Sequence, residues 1–285
     1  SGATEGRAVK LAASNGAPQD EWTVPAAISK VCFSGSSPVV TWDDGYGGYP
    51  IRKLGTGGWD SGAGSPVTEM FATPSGDIIV FEAQALDPSS GYPVGQASLL
   101  GGVDGYAQWS EIGCVTGDYS SYDVYDEWGY YIGTQYSSWW NNWTLVDAAV
   151  DGSGAAWLSW HGEDGDSGDG PWGSWSNSNQ YYHVGRRGQG SFNLGHSSTL
   201  HADASGDIHA LAYVEGKARD VRFDGQSGAQ EADTRVEGAG GTLLAASQSA
   251  HSLVVAGTGA IAQDSDWSAS VSVDGLLSAG SGILL

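Results

Sequence analysis

A turn followed at once by an apolar strand recurs along this chain, and that repetition constrains its fold more than any other feature. It is clearest in Asp203–Tyr213 (DASGDIHALAY) and Asp151–Trp160 (DGSGAAWLSW). In each, an Asp closes a short run, two residues and a Gly turn the chain, and apolar residues follow with strand periodicity. Thr73–Phe81 (TPSGDIIVF) repeats the pattern without the leading Asp, and weaker copies run over Phe33–Trp42 and Ala246–Val255. With Ser36, Ser75, Ser153, Ser205 and Ser249 as anchors the steps are about 39, 78, 52 and 44 residues, so the second step reads as doubled. Ile112–Tyr119 (IGCVTGDY), with Thr116 and Gly117 at the turn, supplies a missing copy and brings the units to six.

Four short strands with their turns occupy about 40 to 45 residues, the length of a propeller blade. Second hairpins are visible at Tyr49–Leu54, Tyr130–Tyr136, Gln180–Val184 and Ala218–Phe223. The expected fold is therefore all-β: one domain over residues 1–285, a β-propeller of about six blades of four-stranded antiparallel sheet. A double-sheet sandwich or a β-helix shares the same short strands and glycine turns. The Asp-, Gly- and Trp-rich stretch near 163–179 lacks strand periodicity and is expected to be a surface insertion. The terminal run Ser268–Leu285 is expected to pair with the early strand near Arg7–Ala12 and close the ring.

Composition supports strands over helices: 45 Gly, 13 Trp and 13 Tyr imply many tight turns between aromatic, β-prone segments. The net charge of −22 excludes nucleic-acid binding, which needs a cationic surface, and disfavours anionic membranes. No apolar run approaches the roughly 18 residues that span a bilayer, so membrane insertion is not expected. The chain begins at Ser1 with no charged-then-apolar leader, which fits a mature secreted or extracellular protein. Cys32 and Cys114 are either two buried thiols or one bridge closing a loop of about 80 residues, worth roughly 4 kcal/mol.

The segments DGSGAAWLSWHG and DASGDIHALAYVEGKARDVRFDG resemble repeats of secreted bacterial β-propellers of the broad sialidase-like and BNR-like group. The true Asp-box of that group places Gly two positions after Asp, whereas Gly154 and Gly206 follow Asp151 and Asp203 by three. The arginine triad of such hydrolases has no recognisable placement among the seven arginines. The resemblance therefore implies architecture and carries over no catalytic residue.

Eight of the 13 tryptophans lie between Trp128 and Trp175. Strand alternation puts Trp139 and Trp140 on opposite faces, so this cluster is only in part core. The remainder either packs between blades or presents flat rings to the C–H faces of sugars, beside Asn141, Asn142 and Tyr hydroxyls. Tyr130, Tyr131, Trp139, Trp140, Trp143, Trp172 and Trp175 are the candidate ligand contacts. Asn142-Trp143-Thr144 is also a glycosylation sequon. Asp164, Asp166 and Asp169 form an oxygen-rich run that either wraps Ca²⁺ or is simply a solvated acidic surface.

The leading functional expectation is a non-catalytic extracellular recognition domain for a glycan, or for an extracellular protein, with Ca²⁺ as the only cofactor in view. A polysaccharide lyase or glycoside hydrolase on the same scaffold would gather His161, His183, Tyr182 and Arg186 around one cleft with a carboxylate. His209 alternates with apolar neighbours and reads as a structural residue. A third class is a self-associating subunit of an extracellular assembly, joined through its aromatic patch.

Overall fold

The computed structural model describes residues 5–12, 14–203, 205–214 and 217–237, and beyond them five strand segments between 243 and 279. Every regular element among the described residues is a strand, and each strand pairs antiparallel with its neighbour in the chain. A hairpin of β1 (Gly6–Leu11) and β2 (Pro18–Val24) comes first. Four meanders follow, three of four strands and one of five. The first runs through β3 (Ile28–Ser34), β4 (Ser37–Trp42), β5 (Tyr49–Lys53) and β6 (Asp60–Ala63). The second runs through β7 (Glu69–Ala72), β8 (Ile78–Glu82), β9 (Gln96–Leu100) and β10 (Ala107–Ile112). The third has five strands: β11 (Cys114–Tyr125), β12 (Tyr131–Val150), β13 (Ala156–Asp169), β14 (Trp175–Arg186) and β15 (Ser191–Asn193).

The fourth meander comprises β16 (Thr199–Ala202), β17 (Ile208–Val214), β18 (Lys217–Phe223) and β19 (Gln230–Glu237). A three-stranded sheet follows, of β20 (Leu243–Ser249), β21 (Ser252–Gly257) and β22 (Ile261–Gln263), and then the pair β23 (Ala269–Val271) and β24 (Leu277–Ala279).

The second strand of a meander is buried on both faces, as in β8 (IIVFE) and β4 (SPVVTW), while β3 alternates exposed with covered residues. That pattern arises when sheets stack face to face and bury a layer between each pair. The core is accordingly divided. Val40 and Trp42 pack with Val24; Val39 and Ile51 pack with Met70 and Ile78; Phe81 and Ala97 pack with Leu145 and Leu158; Trp157 and Val184 pack with Ile208 and Phe223. Each cluster joins one sheet to the next in the chain.

The recurrent turns open these sheets. In Thr73–Asp77, Asp151–Ala155 and Asp203–Asp207 the first residue's N–H donates to the carbonyl four residues on, and the glycine N–H donates back to the first residue's carbonyl. Gly76, Gly154 and Gly206 hold φ near 87°, 89° and 88°, a conformation that excludes most side chains. Asp151 Oδ1 and Asp203 Oδ1 each accept from the N–H groups two and four residues later, which fixes the turn. Successive turns touch: Ser34 Oγ donates to Gly76 O at 2.5 Å, Gly154 packs on Pro74, and Gly152 N donates to Gly206 O at 3.0 Å. One strand of each sheet also runs beside one of the next, β3 by β7, β7 by β12, β12 by β16 and β16 by β20; each opens its sheet except β12, the second strand of the third.

Several expectations need correction. Thr116 and Gly117 make no turn; they lie within β11, and the doubled step reflects the length of β11 and β12. The stretch near 163–179 is strand at both ends, the last residues of β13 and the first of β14, with only 170–174 as the turn. β1 pairs with β2, and β23 pairs with β24, so the described strands do not show Ser268–Leu285 pairing with Arg7–Ala12. Both cysteines are free; Cys32 packs against the Val39 and Ile51 cluster, and burial pushes its thiol up to about 12.

Candidate functional site

Strands β11 to β14 contain 12, 20, 14 and 12 residues, against three to eight in every other strand. At about 3.3 Å per residue, the segment of β12 before its irregularity at Leu145/Asp147 reaches roughly 45 Å. It pairs with β11 on one side and β13 on the other, and β13 pairs with β14 out to Trp175. The result is an antiparallel arm, four strands wide, whose inner end is continuous with the third meander.

Gly and Asp are poor strand formers, yet β13 carries Gly162, Gly165 and Gly168 in its outer half. Each faces a tryptophan: the register sets Gly162 opposite Trp143, Gly165 opposite Trp140 and Gly168 opposite Trp175. A Cβ at Gly162 would come within 2.5 Å of the Trp143 ring, one at Gly165 within 2.4 Å of Trp140, and one at Gly168 within 2.6 Å of Trp175. The indoles therefore lie flat across glycine backbone, which replaces the missing side-chain packing and presents the rings broadside. Neighbouring stacks extend this surface, Trp143 with Tyr181 at 6.0 Å and Tyr119 with Tyr136 at 5.9 Å.

The seven candidate contacts all fall on the arm, but not in one place. Tyr130 and Trp172, 71% and 69% exposed, sit at the two tips, which meet where Gly133 packs on Pro171; Tyr131 begins β12 beside them. Trp139, Trp143 and Trp175 share one face by register, with Tyr181 and His183. Trp140 lies on the opposite face with Tyr136, Asn142, Glu163, His161 and Tyr182. Tip, front and back are thus three separate aromatic surfaces.

The carboxylates proposed for Ca²⁺ are held on a strand instead of a flexible loop. Asp164 and Asp166 share the Trp139 face, whereas Asp169 belongs to the other. Asp164 stands beside Tyr181 and pushes its phenol above the ordinary value; Asp166 accepts from Asn177 at 3.4 Å. Among the described residues no group of three His, Cys, Asp or Glu side chains is arranged to hold a metal ion.

The set His161, His183, Tyr182 and Arg186 is not gathered around a cleft. His161 and Tyr182 stack at 4.7 Å on the back face, while His183 lies on the front beside Trp143. Arg186 is spent on the Asp151 turn, 2.9 Å from its carboxylate, with further bonds to Ser153 and Gln226. His209 is a buried structural residue, with Nδ1 2.8 Å from Asp220 and Nε2 3.5 Å from Asp203. Burial opposes its protonation, but these two carboxylates prevail and raise its pKa.

One feature lay beyond reach of sequence reasoning. A cavity of about 390 Å³ lies where β7, β12 and β16 adjoin, lined among others by Glu69, Asp147 and His201. Asp147 accepts from Leu200 N and Ala148 N, both at 2.8 Å, and so ties β12 to β16. Burial, with Glu69's charge adding to it, pushes its carboxyl up to about 6. The three residues are scattered over more than 130 positions of chain, and no local motif marks them.

The chain matches no protein-family model, and a search of curated proteins found no relative.

Proposed function

We propose that the chain is a secreted, non-catalytic recognition domain that binds glycans through the aromatic arm of a six-bladed β-propeller. The architectural part rests on the side-by-side strands of successive sheets, the touching turns and the core clusters that join each sheet to the next. In this reading the four meanders and the β20–β22 sheet are five blades, and β1, β2, β23 and β24 contribute a sixth drawn from both ends of the chain.

The observation that carries the function is the set of indoles laid flat over Gly162, Gly165 and Gly168, among Asn, Asp and Ser side chains. A flat ring offers its face to the axial C–H groups of a sugar, and the polar neighbours bond its hydroxyls. Fixing the rings on a strand pair in advance lowers the ordering cost of binding. The test is a glycan array probed with purified protein, with and without chelator, while each retained polysaccharide is monitored for new reducing or unsaturated ends. Selective retention without turnover, unaffected by chelator, is the expected result.

The cavity with Glu69 and Asp147 favours a second reading, a glycoside hydrolase, because a carboxyl whose pKa is raised by burial, with a second carboxyl lining the same cavity, is the usual acid of that chemistry. New reducing ends that disappear in Asp147→Asn would establish it in place of pure recognition.

A further inference from the structure

On the back of the arm, where it meets the second meander, lies a pocket of about 310 Å³ lined by Tyr92, Val115, Asn142, Thr144, His161 and Glu163. Its floor follows directly from register. Val115, Asn142 and Glu163 form one row across β11, β12 and β13, and Thr144 and His161 form the next row. The volume lies at the lower end of the roughly 300–1,000 Å³ range of small-ligand sites.

The wall opposite the floor is built by a different sheet. Tyr92, 64% exposed, stands at the end of a tight loop in which Asp87 accepts from the N–H groups of Ser89 and Ser90, both at 2.7 Å. The other oxygen of Asp87 accepts from Val115 N at 3.0 Å and so clamps the loop to β11. Val94 O takes the N–H of Leu145 at 2.7 Å on the far side of Tyr92. The loop that carries Tyr92 is thereby held at the pocket before any ligand arrives.

Two polar atoms at this pocket are buried without a hydrogen-bond partner, Asn142 Oδ1 and His161 Nε2. A buried polar atom without a partner costs about 1–3 kcal/mol, a cost that is recovered when the Asn142 and His161 side chains turn these atoms toward a ligand in the pocket. Asn142 Oδ1 and the Glu163 carboxylate accept only, Thr144 supplies a hydroxyl, and no Lys or Arg lines the pocket. Such a lining favours a ligand rich in hydroxyl donors and repels carboxylates, as does the net charge of −22.

The geometry points to this pocket as a subsite for one uncharged pyranose residue, packed on the Tyr92 ring and bonded by Asn142, His161 and Glu163. The assignment rests on the glycan reading above and adds the class of sugar and its place. It is tested by isothermal titration of the full chain with neutral hexasaccharides of glucose, xylose, mannose and galactose, and with a galacturonate hexamer. The titrations are repeated on Tyr92→Ala, Asn142→Ala and, as a front-face control, Trp139→Ala, each checked for an unchanged melting profile. The expected result is binding of at least one neutral hexamer, weakened tenfold or more by Tyr92→Ala and Asn142→Ala, with the galacturonate hexamer unbound. Tyr92 is exposed, so its variant remains informative if Asn142→Ala misfolds. Binding that survives Tyr92→Ala but is lost in Trp139→Ala overturns the pocket and leaves the arm as the glycan site. Tighter binding of galacturonate overturns the sugar class, and no binding of any hexamer overturns both readings.

Discussion

Asp151 is 2% exposed and accepts hydrogen bonds from Ser153 N and Oγ, Ala155 N and Trp157 Nε1, with Arg186 Nε 2.9 Å from its Oδ2. An Asp151→Asn substitution preserves shape but leaves a single acceptor oxygen. With that oxygen toward Ser153 and Ala155, the new amide faces two donors, the Trp157 N–H and the Arg186 guanidinium. The orphaned N–H of the fully buried Trp157 costs about 1–3 kcal/mol. Loss of the ion pair with Arg186, whose side chain is 14% exposed, adds about 1–2 kcal/mol, tempered by its hydrogen bonds to Ser153 and Gln226. Flipping the amide transfers the conflict to the turn and does not remove it. The expected loss is thus about 2–5 kcal/mol, a large share of the roughly 5–15 kcal/mol of an ordinary domain. Urea unfolding followed by circular dichroism measures it as a lower midpoint at unchanged slope. Trp157→Phe removes the orphaned donor, so the double variant should lose about 1–2 kcal/mol less than the two single losses combined. A loss below about 1 kcal/mol for Asp151→Asn, or strict additivity, would refute the assignment of the turn's strength to that carboxylate.

Other consequences follow from the same structure. Asp147, pushed up to about 6, keeps its proton in the folded state where the unfolded chain loses it above 3.8, so it adds stability as pH falls from about 7 toward 4. His209, raised from 6.5, acts in the same direction at the upper end of that window. Asp151 and Asp203 are held below 3.8, and their contribution is lost as pH falls through their folded values. Urea midpoints at pH 8, 5 and 3 should therefore peak at 5, with the gain from 8 to 5 reduced in Asp147→Asn; a maximum at pH 8 contradicts this. Gly165→Ala drives a methyl into Trp140 and the Asn177 carbonyl, and should cost the arm about 1–3 kcal/mol. Hydrogen exchange should then rise along β13 and β14 while β8 and β17 stay protected. Two thiols should titrate in denaturant without reductant, and Cys32 should react slowly in the folded protein because burial suppresses its thiolate.

The parts of this fold that were readable in the sequence are those fixed by neighbouring residues. Ser75, Ser153 and Ser205 each sit in a turn between consecutive strands that an Asp or Thr acceptor, a Ser and a left-handed Gly specify locally, and Ser36 sits beside the left-handed Gly35 between β3 and β4. The opposite orientation of Trp139 and Trp140 follows from the two-residue period alone. The outer half of β13 was not readable, since Gly-Glu-Asp-Gly-Asp-Ser-Gly looks like loop until the tryptophans of β12 and β14 are laid across it. Gly117 likewise looks like a turn residue until register sets it opposite Trp140, where a Cβ would crowd the Trp139 carbonyl. Register supplies that information, and register depends on segments far apart in sequence. The two pockets were hidden for a related reason: Tyr92 reaches Asn142 only across two sheets, and Glu69 reaches Asp147 only where β7 adjoins β12.

The 13 tryptophans supply the most direct probe of glycan recognition by the arm, because each indole N–H gives its own signal in a nitrogen–proton correlation spectrum. The neutral hexasaccharide that binds best would be titrated into labelled protein with the indole signals assigned by single Trp→Phe variants. The account expects shifts at Trp139, Trp140, Trp143, Trp172 or Trp175, and none at Trp42 or Trp157, which are buried between sheets. Shifts confined to tryptophans outside the arm, or a spectrum unchanged at saturating sugar, would contradict it.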